Sequence, residues 1–139
     1  MEDKIVFRSF NNDDYDEVSK WWNWWWGEET AIRKEFLPHN DYCFIIENDN
    51  IPIASAFLYV DKNSPVSYLT YMVSNPEYKE KDRRSIIEQL ILNIEKEAKN
   101  QGIKFMFTVC GNVHVENIHN KLGWTVDKTA PAYETFKYI

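Results

Sequence analysis

The sequence is short of glycine. Four occur in 139 residues, at 27, 102, 111 and 123, where an average chain of this length carries about ten. Walker-type and dinucleotide-binding loops cluster their glycines so that the backbone can close on phosphate, and this scatter excludes both. Any phosphate site must be built another way. Cysteine is scarcer still. Cys43 and Cys110 lie far apart, each in an apolar run. That excludes a CxxC pair and a disulfide framework, and predicts two buried, reduced thiols in a cytoplasmic protein. Long apolar runs are missing too: none approaches the ~18 residues of a membrane span, and the opening MEDKIVFRSF lacks a signal-peptide apolar region. The expectation is a soluble chain with no membrane partner. Positive charge is in deficit, with 16 Lys and Arg against 22 Asp and Glu, for a net charge of −6. Such a chain repels a phosphate backbone, so it suits a cationic or amine-bearing partner better than nucleic acid.

What is there reads as a single domain over 1–139. Hydrophobic residues make up 44% and charged residues 27%, enough apolar surface at this length for a core without staples. Alternation predicts a strand over 5–10. Residues 12–14 offer N-caps, and Asp16 and Glu17 follow in the first turn, where acids favour the helix dipole. Tyr15, Val18, Trp21, Trp22, Trp25 and Trp26 fall within a sector of roughly 140° at 3.6 residues per turn. Only Trp24 points elsewhere. Gly27 ends that helix, and 28–38 is a second short helix or a loop stopped by Pro38.

Runs at 42–47 and 53–60, joined by a turn at 48–50, predict a hairpin, and a third strand over 66–73 stops before Asn75-Pro76. The 83–101 stretch is strongly helical, with Ile86, Ile87, Leu90, Ile91, Ile94 and Ala98 on one face and Gly102 where a left-handed C-cap belongs. Residues 103–110 are apolar on both faces and predict a central strand. Asn112 caps a shorter helix that ends at Leu122-Gly123, and 124–127 and 133–139 are the closing strands. The fold class is α/β (α+β), in the order β-α-α-β-β-β-α-β-α-β-β.

That order, at this length, resembles the GNAT superfamily of N-acetyltransferases over the whole chain. Two segments carry the likeness further. Residues 112–124, NVHVENIHNKLGW, look like the superfamily's passage from its fifth strand through its last helix to Lys-Leu-Gly-aromatic. Residues 73–79, VSNPEYK, are similar to the exit of its fourth strand into the acetyl-CoA loop. With the early Trp-Trp and Phe36-Leu37-Pro38, this stretch also resembles GNAT-like proteins of phage and prophage genomes.

The resemblance implies a mixed, mostly antiparallel sheet whose fourth and fifth strands are parallel and splay apart. A pantetheine arm can then join the fourth strand almost as an added strand. It implies acetyl-CoA as cosubstrate, with backbone N–H groups at Met72 and Val73 facing the thioester oxygen. Asn75 shifts the register, so Ser74 is the alternative to Val73. The pyrophosphate would sit on the helix beginning near Arg83; Asn112 belongs to the same cofactor set. The family's basic position falls on Lys79, and its usual glycines fall on Glu80, Asp82 and Arg84. Either Lys79, Lys81, Arg83 and Arg84 supply charge in place of a backbone cradle, or this run is a solvated turn with Asp82 as an N-cap.

His119 stands where the family generally has a tyrosine that protonates the departing CoA thiolate. An imidazole, titrating ordinarily near ~6.5, can do this; the other reading is a packing histidine. His114 lies on a different helix face, which argues against a metal pair. Residues 66–73 hold no Asp or Glu, and Glu47 at the end of a strand is the nearest carboxylate, either a base or simply exposed. A neutral amine or a water chain would need no such base. Trp24, Trp26, Glu28 and Glu29 fall where the family lines its acceptor site, and aromatics with acids suit an organic ammonium. The tryptophans serve equally as core, or as a homodimer or partner surface. The expected function is acetyl transfer from acetyl-CoA to a primary amine of a small molecule or protein. The alternative is a catalytically inactive GNAT-fold module that binds another protein through its Trp-rich surface.

Overall fold

A computed structural model describes residues 4–129 and 135–139, in two compact units that divide between Val109 and Cys110. The first unit runs β1 (Ile5–Ser9), α1 (Asp14–Trp26), β2 (Cys43–Asn48), β3 (Ile51–Val60), β4 (Val66–Ser74), α2 (Arg83–Asn100) and β5 (Phe105–Phe107). The second holds α3 (Val113–Lys121). The sheet order is β1-β2-β3-β4-β5, antiparallel except for the parallel β4–β5 pair. This is the mixed, mostly antiparallel sheet expected. Among the described residues no helix is long and apolar enough to cross a membrane.

Local chemistry sets the turns. Asp49 and Asn50 both adopt left-handed φ, 49° and 66°, and so close β2 onto β3 in the two-residue geometry that matches strand twist. On one sheet face Val18, Trp21 and Trp22 of α1 pack with Cys43, Ile45, Phe57 and Val73. The pleat turns Phe44, Ile46, Ala54, Ala56 and Leu58 to the other face. There α2 crosses β1–β3 and buries Ile86, Leu90, Ile91 and Ile94. Each such side chain contributes about 1.5–3 kcal/mol of burial.

Arg8 fastens three elements. It donates twice to the Asp14 carboxylate at the start of α1, at 2.6 and 3.1 Å, and once to Glu47 on β2 at 3.3 Å. The Asn11 N–H adds a bond to Asp14 at 2.7 Å. The surrounding acids hold the guanidinium above its ordinary pKa, led by the Asp14 hydrogen bond and opposed by burial.

The structure departs from the sequence reading in four places. After α1, Gly27 and Glu29 take positive φ, and the Asn23 side chain accepts from the N–H groups of Thr30 and Ala31, so no second α-helix starts. Only a 3-10 turn at Lys34–Phe36 forms before Pro38. Second, β5 has three residues and, among the described residues, pairs only with β4. Among the described residues it stands at the end of the sheet order rather than in its centre, and Phe105 and Phe107 share a partly exposed face, Phe107 stacking on Tyr68. Third, 124–127 form no strand, and of 133–139 the described residues 135–139 take no regular structure, while 133 and 134 lie outside the described residues. Fourth, Trp25 and Trp26 are 43% and 47% exposed, so the buried stripe of α1 is narrower than the wheel predicts.

Asp14→Ala leaves the Asn11 amide and most of the Arg8 fork unpaired. Urea unfolding is expected to show a loss of about 2–3 kcal/mol; a loss under 0.5 kcal/mol would remove this network from the stabilising contacts.

Candidate active site

Strand β4 outlasts its neighbour. The parallel pairing joins Val66, Ser67 and Tyr68 to Phe105, Met106 and Phe107 and then stops, while β4 continues to Ser74. On the β5 side, β4 past Tyr68 has no strand partner among the described residues, which is the splay that the resemblance implies. Within that stretch the pairing with β3 slips. Thr70 stands opposite Phe57 and Val73 opposite Ser55, so Tyr71 and Met72 together face Ala56. This is a β-bulge, and Tyr71 carries it at φ 55°. A left-handed conformation costs a non-glycine residue about 1–2 kcal/mol. Trp22 offsets that cost. Its indole N–H donates to the Tyr71 carbonyl at 3.1 Å, and its ring meets the Tyr71 ring edge-on at 6.4 Å.

Past the bulge, the Asn75 N–H donates to the Ile53 carbonyl at 2.7 Å. Strand alternation then turns the backbone of Val73 toward β3 and that of Ser74 outward. Of the two residues left open by the sequence, Ser74 is therefore the one that faces the unpaired side. Its carbonyl is occupied by the Trp25 indole N–H at 2.8 Å, and its hydroxyl accepts from Arg83 at 2.5 Å. The Arg83 guanidinium lies over the Trp25 ring at 5.1 Å, and burial lowers its pKa.

The loop into α2 is braced by side chains. The Asn75 amide donates to Pro52 at 2.9 Å and its oxygen accepts from Glu77 N–H at 3.0 Å. The Tyr78 hydroxyl donates to Asp82 at 2.7 Å and accepts from Asn48 at 3.4 Å. Burial first, then the bond to Asp82, pushes this hydroxyl up. Asp82 holds the N-cap position of α2 but makes no capping bond, and one of its carboxylate oxygens accepts from Tyr78. Arg84 pairs with Glu88 along its own helix at 3.8 Å. Lys79 and Lys81 are exposed and form no ion pair among the described residues. Glu47 is committed to Arg8, so it is neither free nor simply exposed.

The acceptor candidates sit at and beyond the end of α1. Trp24 is 63% exposed and lies edge-on to Trp25 at 4.7 Å. Trp26 stacks on Trp22 at 6.3 Å, and Glu28 and Glu29 are exposed in the turn after Gly27. In the second unit, Asn112 caps α3 by accepting from Val115 N–H at 2.9 Å. His119 is 1% exposed. Its Nδ1 faces the Val115 carbonyl at 2.8 Å and Cys110 Sγ at 3.8 Å, and its ring meets Trp124 edge-on. Its Nε2 is buried with no hydrogen-bond partner among the described residues.

Residues 7–124 match the model of the acetyltransferase (GNAT) family. The chain belongs to the GNAT family. Solved GNAT-fold structures agree. The aminoglycoside N-acetyltransferase AAC(6')-Iy in complex with CoA superposes at TM-score 0.70 and 19% identity, covering 97% of each chain. An aminoglycoside acetyltransferase from an uncultured soil metagenomic sample, in complex with sisomicin, gives 0.69 at 12% identity over 97% of each chain. The yncA protein of Salmonella typhimurium, with its cofactor acetyl-CoA, gives 0.64 at 15% identity, covering 88% of this chain and 80% of that one. No curated protein matches the sequence significantly.

Sequence reasoning passed over Trp22, Trp25 and Tyr78 as site residues. The signal available was chemical: a tryptophan N–H near a core needs an acceptor, and an open strand carries carbonyls to supply one.

Both thiols are poor nucleophiles in the fold. Burial pushes Cys43 up to about 12, and raises Cys110 as well, with Glu116 adding to it. Native Cys43 thus holds its proton while the unfolded thiol ionises near ~8.5, so stability falls as the pH rises from there toward about 12. In maleimide labelling at pH 8, Cys110 is expected to react first and Cys43 only at the rate of unfolding; prompt labelling of both would contradict the burial.

Proposed function

We propose that this chain transfers an acetyl group from acetyl-CoA to a primary amine. The observation that carries the reading is the bulged end of β4, which past Tyr68 has no strand partner on the β5 side among the described residues, leading into a start of α2 without a side-chain cap. Acetyl-CoA supplies an activated thioester. The residues around it bind and orient. The open side of β4 offers hydrogen-bonding groups along Met72–Ser74 that an extended arm can join, and the outward Ser74 N–H suits a thioester oxygen on which charge develops. The N-terminus of α2, with Lys79 and Lys81, suits the phosphates. Arg84 is partly engaged by Glu88, and Arg83 is turned toward Ser74, so these two contribute less to a phosphate site.

His119 is assigned the proton for the departing thiolate. Its Nδ1 is oriented by the Val115 carbonyl, and its buried Nε2 is the nitrogen left to carry that proton. Asn112 acts through the cap that starts this helix. Trp24, Trp26, Glu28 and Glu29 are the acceptor-side residues, where aromatic faces and carboxylates attract an ammonium group. The net charge of −6 favours the same class of acceptor, whether a small molecule or a protein amine. A second reading, an inactive GNAT-fold module that binds a protein, draws on the exposure of Trp24 and Trp26.

Calorimetric titration with acetyl-CoA separates the two. Micromolar binding supports transfer, whereas none at millimolar cofactor would leave the binding module. With a primary-amine probe, His119→Phe is expected to lower kcat by about 10²-fold or more while acetyl-CoA affinity stays within about threefold; an unchanged kcat removes His119 from the chemistry. Asp82→Asn takes a negative charge from the start of α2 and is expected to tighten CoA binding by roughly two- to fivefold, an effect that fades in high salt. No change would place the phosphates elsewhere.

A further inference from the structure

Two indoles of one helix bond to two carbonyls of the strand on which the proposed transfer depends. Trp22 and Trp25 stand three apart on α1, and Tyr71 and Ser74 stand three apart on β4. Trp22 Nε1 donates to Tyr71 at 3.1 Å and Trp25 Nε1 to Ser74 at 2.8 Å. The two carbonyls bracket Met72 and Val73. One belongs to the left-handed residue of the bulge, and the other faces the side that β5 abandons. Arg83 completes the second contact, with its guanidinium over the Trp25 ring and its N–H on the Ser74 hydroxyl.

We propose that Trp22 and Trp25 are positioning residues that clamp β4 from both ends of its acyl-binding stretch. The role rests on the acetyl-transfer reading. The physical reason is the cost of an unsatisfied carbonyl. A bulged strand with an open side is free to slip back into regular register, which would rotate Ser74 toward β3 and withdraw its N–H from the open side. An indole donor at each end fixes the rotation, because either carbonyl loses its partner if the strand slips. Tryptophan suits the task, since its N–H sits at the end of a rigid ring with two side-chain torsions. A second consequence follows. One lone pair of the Ser74 carbonyl is already taken, so an arm that lies along β4 can receive a hydrogen bond from the Ser74 N–H, while any bond it donates to that carbonyl shares the oxygen with Trp25.

The test is Trp25→Phe, which removes the N–H while keeping an aromatic ring at a half-exposed site. Lys20→Ala is the control, an exposed change on the same helix at a side chain that pairs with Glu17 rather than with β4. Hydrogen exchange over residues 71–76 and the affinities for acetyl-CoA and for CoA are measured on each. Trp25→Phe is expected to speed exchange there about tenfold and to lower the preference for acetyl-CoA over CoA by at least fivefold, with Lys20→Ala changing neither. A purely structural contact would weaken both ligands equally and leave that preference intact, which would overturn the positioning role. Unchanged exchange in Trp25→Phe would overturn the clamp itself, whatever the ligands do. A wild-type chain that binds neither ligand sinks the transfer reading and the thioester role with it, and exchange alone then decides whether the indoles hold the strand.

Discussion

The structure turns on what becomes of β4 after β5 leaves it. A strand with one side unpaired exposes backbone groups that must find water, side chains or a ligand, and a bulge in that stretch adds a strained residue. Here the carbonyls of Tyr71 and Ser74 are met by Trp22 and Trp25, and the N–H of Asn75 by β3. Val73 turns its backbone to β3, and the Ser74 N–H is left for the open side. That division is what separates a frayed strand end from a binding edge. It depends on α1 lying against β4, which in turn depends on the Arg8–Asp14 pair that fixes the start of α1 against β1.

The scarcity of glycine shapes this arrangement. Three of the four glycines take positive φ, at Gly27, Gly102 and Gly123, all just past helix ends. None is left for the bulge, so Tyr71 adopts φ 55° and needs outside support. The aromatic ring that glycine would lack is part of that support. Trp22 meets it edge-on, Tyr59 does so from β3 at 6.3 Å, and Tyr59 in turn donates its hydroxyl to Phe36 in the loop after α1. The tryptophan-rich helix and the glycine-poor sequence are thus linked: large rigid donors hold a backbone shape that elsewhere a missing side chain would permit.

How much of this the sequence disclosed follows from what each pattern measures. Periodicity reports burial, and where burial decided the matter it located β1 to β4, α2 and α3 to within a residue or two. It failed at β5, because an apolar run on both faces was taken as evidence of cover on both faces, and Phe105 and Phe107 are only partly covered. It failed again at Trp25, where the ring covers a carbonyl and a guanidinium at the strand's end rather than apolar core. The bulge left no trace of its usual kind, since a tyrosine stands where glycine would have marked it. The choice between Val73 and Ser74 needed a hydrogen bond, Asn75 to Ile53, that no pattern shows. The Glu47 ion pair joins residues 39 positions apart and was equally invisible.

The loop between β4 and α2 carries the same trade of backbone freedom for side-chain bracing into the charge of the site. Over 77–84, Lys79, Lys81, Arg83 and Arg84 stand against Glu77, Glu80 and Asp82, four cations to three anions. A sum near zero would make a poor phosphate site if all the charges were equivalent, but they are not. Arg83 is drawn toward Ser74 and Arg84 toward Glu88, while Tyr78 bonds one oxygen of Asp82, whose side chain makes no capping bond to the helix. What remains at the start of α2 is a helix end without a side-chain cap, beside two lysines that form no ion pair among the described residues. On the proposed reading the hydroxyl of Tyr78 holds one oxygen of Asp82 away from the helix N-terminus where the phosphates would sit.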